Sequence, residues 1–276
     1  MLTLHHLNDS RSQRILWLLE ELGVPYEMRR YQGNPETRLA PPELKAVHPL
    51  GKSPVITDGD IRIAESGAIV DYVIRRHGLG NGQPAMMPAP GSADYEVYNE
   101  WLHYSEGSAM LPLLLNLYVS RLKEAGAPLY PRIDSEIANH LGYVDGALKG
   151  REYFVGNSLT GADIQMSFVG DMAKAFNKLG PYPNLSAWLS RMHARPAFSA
   201  QSRRAGRTGL RSRSGRRPGQ VSAANASRDP YAVSLGTGTL SDGLFRQLPL
   251  GVMGPGSRPG RRGKGLGDSL SPPYLA

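Results

Sequence analysis

HPLGKSPVI at residues 48–56 and AESGAI at residues 64–69 decide the reading of this chain. The first stretch puts a proline at the doorway of an apolar strand. There the missing N–H and fixed φ point to a tight turn of the kind that accommodates a cis bond at Pro54. A loop ending in such a proline exposes backbone amides that can pair with an extended peptide, as an added strand would. The second stretch sets an acid and a hydroxyl side by side, Glu65 and Ser66, where an apolar strand gives way to a helical pattern. Glu65 can take an ammonium, while Ser66 and the helix N-terminus behind it take a carboxylate. The pair reads as a holder for an amino-acid head group.

The surrounding pattern supplies the frame. LTLHHL at 2–7 fits a strand, and 10–22 a helix whose apolar stripe runs Ile15, Leu16, Leu18, Leu19, Leu22, with Gly23 as its stop. Residues 24–31 fit a second strand. Short apolar strands follow at 55–57 and 61–64 around an Asp58-Gly59 turn, and then a helix over 66–77. The sum is βαβ, an irregular segment and ββα, the order of a thioredoxin-like α/β domain over 1–79. GLGNGQPAMMPAPGS at 78–92 is too rich in Gly and Pro for regular structure, which makes 80–92 a linker. From 93 to 200 strands disappear. Helices are expected over 95–123 with a kink at Pro112, then over 132–148, 162–178 and 185–194, an all-α second domain. Thr160 with Asp163 three residues on forms a capping box, stapled by Leu159 and Ile164, so Asp163 is structural.

The order LTLHHL, SRSQR opening a helix, HPLGKSP, AESG resembles the N-terminal half of a glutathione S-transferase, in particular the serine-type bacterial and fungal branch. The resemblance covers residues 1 to about 200. It implies a thioredoxin-like glutathione-binding domain followed by an all-helical acceptor domain, a cytoplasmic homodimer, and glutathione as co-substrate. The γ-glutamyl group falls to Glu65 and Ser66, the cysteinyl unit to the backbone of Ser53 before Pro54, and the glycyl carboxylate to Lys52. Lys52 is equally read as a solvated loop lysine, and Glu65 with Ser66 as the cap of the following helix. In WLHYSEG, His103 falls where related chains reach across a dimer interface toward glutathione. Tyr104, Ser108 and Leu111, about a turn apart, are expected either to line the electrophile pocket or to be core. His48 stands where many relatives have an asparagine and is expected to make a loop contact.

The chemistry sets a clear demand. Conjugation needs a thiolate at neutral pH, yet a free thiol has a pKa of about 8.5. Lowering it by about two units requires roughly 2.7 kcal/mol of preference for the anion. One hydrogen bond to a charged group contributes about 1.5–3 kcal/mol and a helix N-terminus about 0.3–1, so a single hydroxyl at a helix start suffices. In serine-type members the thiolate-holding serine precedes a helical arginine by four residues, which assigns the role to Ser10 ahead of Arg14. Ser12 and Asn8 are the alternatives, and Ser10 as a plain N-cap is the bland one. The expected activity is attack by the thiolate on small electrophiles, with a peroxidase side activity. The competing reading is a non-catalytic binding or assembly module on the same fold.

Composition bounds the rest. The 276 residues contain no cysteine, so thiol chemistry must come from a bound ligand. His5 and His6 point to opposite faces of a strand and the other histidines lack ligand spacing, so no metal is expected. No Gly-rich phosphate loop follows a strand, no Gly-x-Ser-x-Gly elbow occurs, and neither a membrane span nor a secretory signal is expected. The net charge is +8, but residues 201–276 hold 13 Lys and Arg against 3 Asp. That leaves 19 basic against 21 acidic side chains for residues 1–200, so nucleic-acid binding by the folded part has no electrostatic footing. The 201–276 segment, with 14 Gly and 7 Pro, reads as a disordered tail. It is either an out-of-frame end or an Arg-Gly stretch that binds RNA or acidic surfaces. Cutting at about residue 200 is accordingly expected to leave thermal stability nearly unchanged.

Overall fold

A computed structural model describes residues 1–34, 39–78 and 85–205. The tail from 206 onward, and with it both readings of the basic segment, lies outside the described residues, as do most of the linker's first positions.

The first domain runs β1 (Leu2–Leu7), α1 (Ser12–Leu22), β2 (Glu27–Tyr31), α2 (Glu43–Val47), β3 (Val55–Asp58), β4 (Ile61–Ala64) and α3 (Ser66–Val73), the last continued by a wider π turn over Ile74–Gly78. The sheet order is β2-β1-β3-β4, with β1 parallel to β2 and antiparallel to β3. Alternation along β1 sends Leu2, Leu4 and His6 to one face and Thr3 and His5 to the other. Ile15, Leu16, Leu18 and Leu19 of α1 are fully buried with Leu4 and Ile56 in the core. Gly23 ends α1 in the left-handed region at φ 61°, donating back to Glu20 and Leu19.

Three boundaries differ from the expectation, each for a local reason. Helix α1 starts at Ser12, not at residue 10, because Asp9 takes a positive φ of 51° and forces a turn through Ser10. Strand β2 begins at Glu27, past Pro25, which has no ladder N–H to give. In the β3–β4 hairpin Asp58 stays paired with Ile61, so the turn residues are Gly59 and Asp60, with Gly59 supplying φ 60°. The short α2 was not expected from the sequence.

The second domain is helical throughout: α4 (Ala93–Tyr104), a π stretch (Ser105–Ala109), α5 (Met110–Val119), irregular 3-10 turns (Ser120–Leu129), α6 (Tyr130–Ala147), α7 (Gly161–Ala175), α8 (Pro183–His193) and α9 (Pro196–Arg204). The expected irregularity at Pro112 falls just upstream of it. Pro112 has no N–H for the Ser108 carbonyl and its ring crowds that oxygen, and the widened turn over Ser105–Ala109 separates them. Asp163 does more than cap α7: its two oxygens accept from Thr160 N and Oγ1, Phe154 N and the Trp188 indole, while burial raises its pKa to about 6.

Helix α9 runs four residues past the expected domain end at 200. Phe198 packs edge-on against Trp17 at 5.4 Å and stacks on His193 at 4.3 Å, and Gln201 is buried. Arg204 reaches Glu20 at 3.1 Å and lies over the Tyr26 ring. Arg195, the residue before α9, pairs with both oxygens of Glu21 on α1. A cut at 200 keeps Phe198 and Arg195 and removes buried Gln201 and the Arg204 contacts to Glu20 and Tyr26.

Candidate active site

The Ser53–Pro54 peptide is cis. Ser53 Oγ donates to the His5 carbonyl at 2.8 Å and accepts the Leu7 N–H at 3.2 Å, which pins this loop to β1. The Ser53 side chain is thereby used internally. Glu65 stands at the junction of β4 and α3 with φ 67° and ψ 115°, a conformation that a non-glycine residue holds at a cost of order 1–3 kcal/mol. Its side chain does not cap α3 and points to solvent. Such strain is retained where surrounding structure needs the side chain in that place.

These elements border one cavity of about 240 Å³. Lys52, Ser53, Pro54, Glu65 and Ser66 all line it, together with Arg11, His48 and Glu106. The ammonium of exposed Lys52 and the carboxylate of exposed Glu65 have no ion-pair partner among the described residues. Ser66, 4% exposed, accepts from Gln165 Nε2 at 3.2 Å, which leaves its O–H free to donate. His48 accepts weakly from Leu50 N–H at 3.4 Å, the loop contact expected of it, and also faces the cavity.

A second cavity of about 630 Å³ shares Glu65 and Glu106 with the first. Exposed His103 lines it, with Asp71, Asn99 and Gln165. Tyr104, Ser108 and Leu111 line neither. The Tyr104 hydroxyl bonds His140 Nδ1 at 2.8 Å and its ring packs on Trp101 and Tyr143, while Leu111 is 56% exposed and Ser108 half-buried in the π stretch.

The residues that sequence reasoning passed over are Arg11, Glu106 and Gln165. Arg11 donates to Glu106 at 2.7 Å, buried Arg14 pairs with the other oxygen of Glu106, and both guanidinium groups lie over the Phe168 ring. Arg14 also donates to the Gln165 carbonyl at 2.5 Å, which ties α1 to α7. Burial pushes Arg14 down to about 10, still cationic at neutral pH. Arg11 stands in SRSQR and Glu106 in HYSEG, but 95 positions separate them and no local pattern announces the pair.

Ser10 and Ser12, on either side of Arg11 in the chain, both reach the Leu7 carbonyl, and Asn8 precedes them in the same turn. Ser10, half-buried, donates to that carbonyl at 2.8 Å. Ser12 is fully buried. The Asn8 side chain accepts the Gly33 N–H at 2.8 Å and donates to Asp9, which fixes the start of the loop after β2. Of the two serines Ser10 is the less buried, although it is not among the residues bordering the first cavity.

Residues 1–75 match the family model of the glutathione S-transferase N-terminal domain, and residues 107–196 that of the C-terminal domain. The chain is 35% identical over 213 residues to glutathione S-transferase 3 of Schizosaccharomyces pombe, covering 71% of this chain and 85% of that one. It belongs to the glutathione S-transferase family. The crystal structure of a glutathione S-transferase from Actinobacillus pleuropneumoniae superposes with a TM-score of 0.67 at 34% identity, covering 74% of this chain and 93% of that one. A Pseudomonas fluorescens family member solved with two bound glutathione molecules gives 0.61 at 27% identity, covering 72% and 91%. Among the described residues no helix of this transferase-family chain is long and apolar enough to cross a membrane, and no cluster of three metal-ligating side chains occurs.

Proposed function

We propose that this family member binds glutathione in the 240 Å³ cavity and directs its thiolate onto small electrophiles, forming a carbon–sulfur bond as the electrophile's leaving group departs or its double bond takes up the electron pair, with Ser10 holding the thiolate. The observation that carries the reading is the placement of two charges without an ion-pair partner among the described residues, Lys52 and Glu65, on one cavity with Ser53 and Pro54. A tripeptide with an ammonium at one end and a carboxylate at the other is complementary to that set. Its γ-glutamyl ammonium meets Glu65, its α-carboxylate the Ser66 hydroxyl and the N-terminus of α3, its cysteinyl amide the backbone at Ser53, and its glycyl carboxylate Lys52. The sulfur is then turned toward the Ser10 hydroxyl, which donates and never attacks. The donor stabilises the full anion more than the partly neutralised sulfur of the transition state, so it acts by raising the thiolate fraction at neutral pH, a gain larger than the accompanying loss of nucleophilicity. Peroxide as acceptor is a side activity of the same thiolate.

A homodimer places the His103 face of the wider cavity against a second copy, where His103 can reach the partner's glutathione. Leu111 and Ser108 retain free surface for an acceptor, whereas the Tyr104 ring is taken up in packing. A binding module without turnover is the alternative, favoured by the absence of Ser10 from the cavity lining.

The ultraviolet absorbance of the bound thiolate, titrated against pH, separates the two. Removing one charge-assisted hydrogen bond worth about 1.5–3 kcal/mol raises the bound thiol's pKa by roughly 1–2 units. Ser10→Ala is expected to show that rise, with a parallel loss of conjugation rate and little change in glutathione affinity. An unmoved pKa rejects Ser10 as the thiolate donor.

A further inference from the structure

Behind Ser10, polar side chains from β1 and the turn into α1 are joined inside the core. His6 is 1% exposed and Ser12 fully buried. His6 Nδ1 lies 2.8 Å from Ser12 Oγ, and Ser12 Oγ lies 2.8 Å from Ser10 Oγ. The Leu7 carbonyl is 2.8 Å from Ser10 Oγ and 3.1 Å from Ser12 Oγ. Ser12 N–H also donates to Ser10 Oγ, at 3.2 Å. His6 Nε2 is buried and has no hydrogen-bond partner among the described residues. His6 continues the face of β1 that carries Leu2 and Leu4, a slot that an apolar side chain would fill with no orphaned atom.

The proton directions follow by elimination. Burial, and then the positive charge of Arg30 alongside on β2, lowers His6 to about 4, so the ring is neutral at pH 7 and carries one N–H. On Nε2 that hydrogen would be a buried donor without an acceptor, the rarer and costlier kind of orphan. Nδ1–H therefore donates to Ser12 Oγ. Ser12 then has two acceptors in reach of its own proton, and Ser10 Oγ at 2.8 Å is nearer than the Leu7 carbonyl at 3.1 Å, which assigns the proton to Ser10 Oγ. Ser10 Oγ then accepts from both the Ser12 hydroxyl and the Ser12 amide, and its O–H is the one hydrogen in the chain free to be redirected.

We infer that His6 is a positioning residue for Ser10: the buried chain from His6 through Ser12 polarises the Ser10 hydroxyl and orients it as a donor toward the glutathione sulfur. This rests on the reading of Ser10 as the group that holds the thiolate. Donors in series strengthen one another, and an anionic sulfur outcompetes the neutral Leu7 carbonyl because a charge-assisted bond is roughly twice as strong. No proton leaves His6 and no covalent bond changes.

The test is the bound-thiol pKa, read by thiolate absorbance in the full chain, for wild type, Ser10→Ala, His6→Phe, His6→Asn and the double variant Ser10→Ala with His6→Phe. His6→Phe fills the slot but removes the donor, and is expected to raise the pKa by roughly 0.3–0.7 unit, a two- to fivefold loss of thiolate at a pH well below the pKa. His6→Asn, whose amide nitrogen stands near the Nδ1 position, is expected to keep the wild-type value. The double variant is expected to match Ser10→Ala alone, since the chain acts only through that hydroxyl. An unchanged pKa in His6→Phe while Ser10→Ala raises it overturns the relay and leaves Ser10 standing. A further rise in the double variant overturns it as well. An unmoved pKa in Ser10→Ala removes the underlying reading and the relay with it. Should His6→Phe fail to fold, Ser12→Ala cuts the same chain with the loss of one oxygen and is judged by the same rise.

Discussion

Removing the Glu106 carboxylate should destabilise the protein more than removing the arginine it pairs with. The Arg14 side chain is 1% exposed and that of Glu106 27%, so Glu106→Ala strands a cation that water cannot reach. Breaking a buried pair in this way costs about 3–5 kcal/mol. Arg14 would keep the Gln165 carbonyl at 2.5 Å and the face of Phe168, which places the expected loss near the lower end, about 3 kcal/mol. For a folded part of this size that is a fall in Tm of roughly 6–12 °C. Arg14→Met replaces the cation with an apolar side chain of similar length. Glu106 then keeps Arg11 at 2.7 Å and partial hydration, and the Gln165 carbonyl keeps the Ser105 hydroxyl at 3.0 Å. The expected loss is only about 1 kcal/mol. Urea unfolding followed by circular dichroism measures both, at a pH where Arg14, held down to about 10, stays charged. If Arg14→Met proves as damaging as Glu106→Ala, the desolvated cation is not what makes this cluster costly to break.

Further expectations concern binding and packing. Lys52→Ala and Glu65→Gln should each weaken glutathione by roughly 5–30-fold, the loss of one charge-assisted contact in partly exposed surroundings, as titration calorimetry reads it; no change for either would place the tripeptide elsewhere. Gly161→Ala should cost about 1–3 kcal/mol, because a Cβ there would lie 2.7 Å from Ile74 Cδ1, Val70 Cγ1 and the Tyr98 hydroxyl, where α7 meets α3. A melting temperature equal to wild type would mean that those contacts yield freely. A chain ending at Arg195 should melt roughly 6–12 °C below one ending at Ala205, since it lacks Phe198 against Trp17 and Arg204 against Glu20, together worth about 3 kcal/mol. Equal melting would make α9 an ornament on α1.

The order of elements in the first domain was legible because it rests on local rules: period-2 apolar strands, the Ile15–Leu22 stripe, Gly23 as a stop and Pro54 as a turn. The joint placement of Pro54, Glu65 and Ser66 was legible too, since one hairpin of fixed length returns the chain to the same edge. Helix α9 was hidden because its stretch of sequence is polar, and only the groove beside Trp17 gives Phe198 and Gln201 a reason to be helical. The breadth of the turn at Ser105–Ala109 was hidden likewise, since a proline announces that the ladder breaks but not where the slack is taken up.

From its residues alone this chain determines a βαβ–ββα domain, a helical second domain and a set of hydroxyls before α1, because propensity, periodicity and turn chemistry act over a few positions. Which serine is sealed was decided only when α1 packed on β1, closing Ser12 and His6 inside and leaving Ser10 half-buried. The Arg11–Glu106–Arg14 cluster and the Gln165–Ser66 bond join positions 92 to 99 residues apart, and such contacts form only where tertiary packing removes water from around the charges.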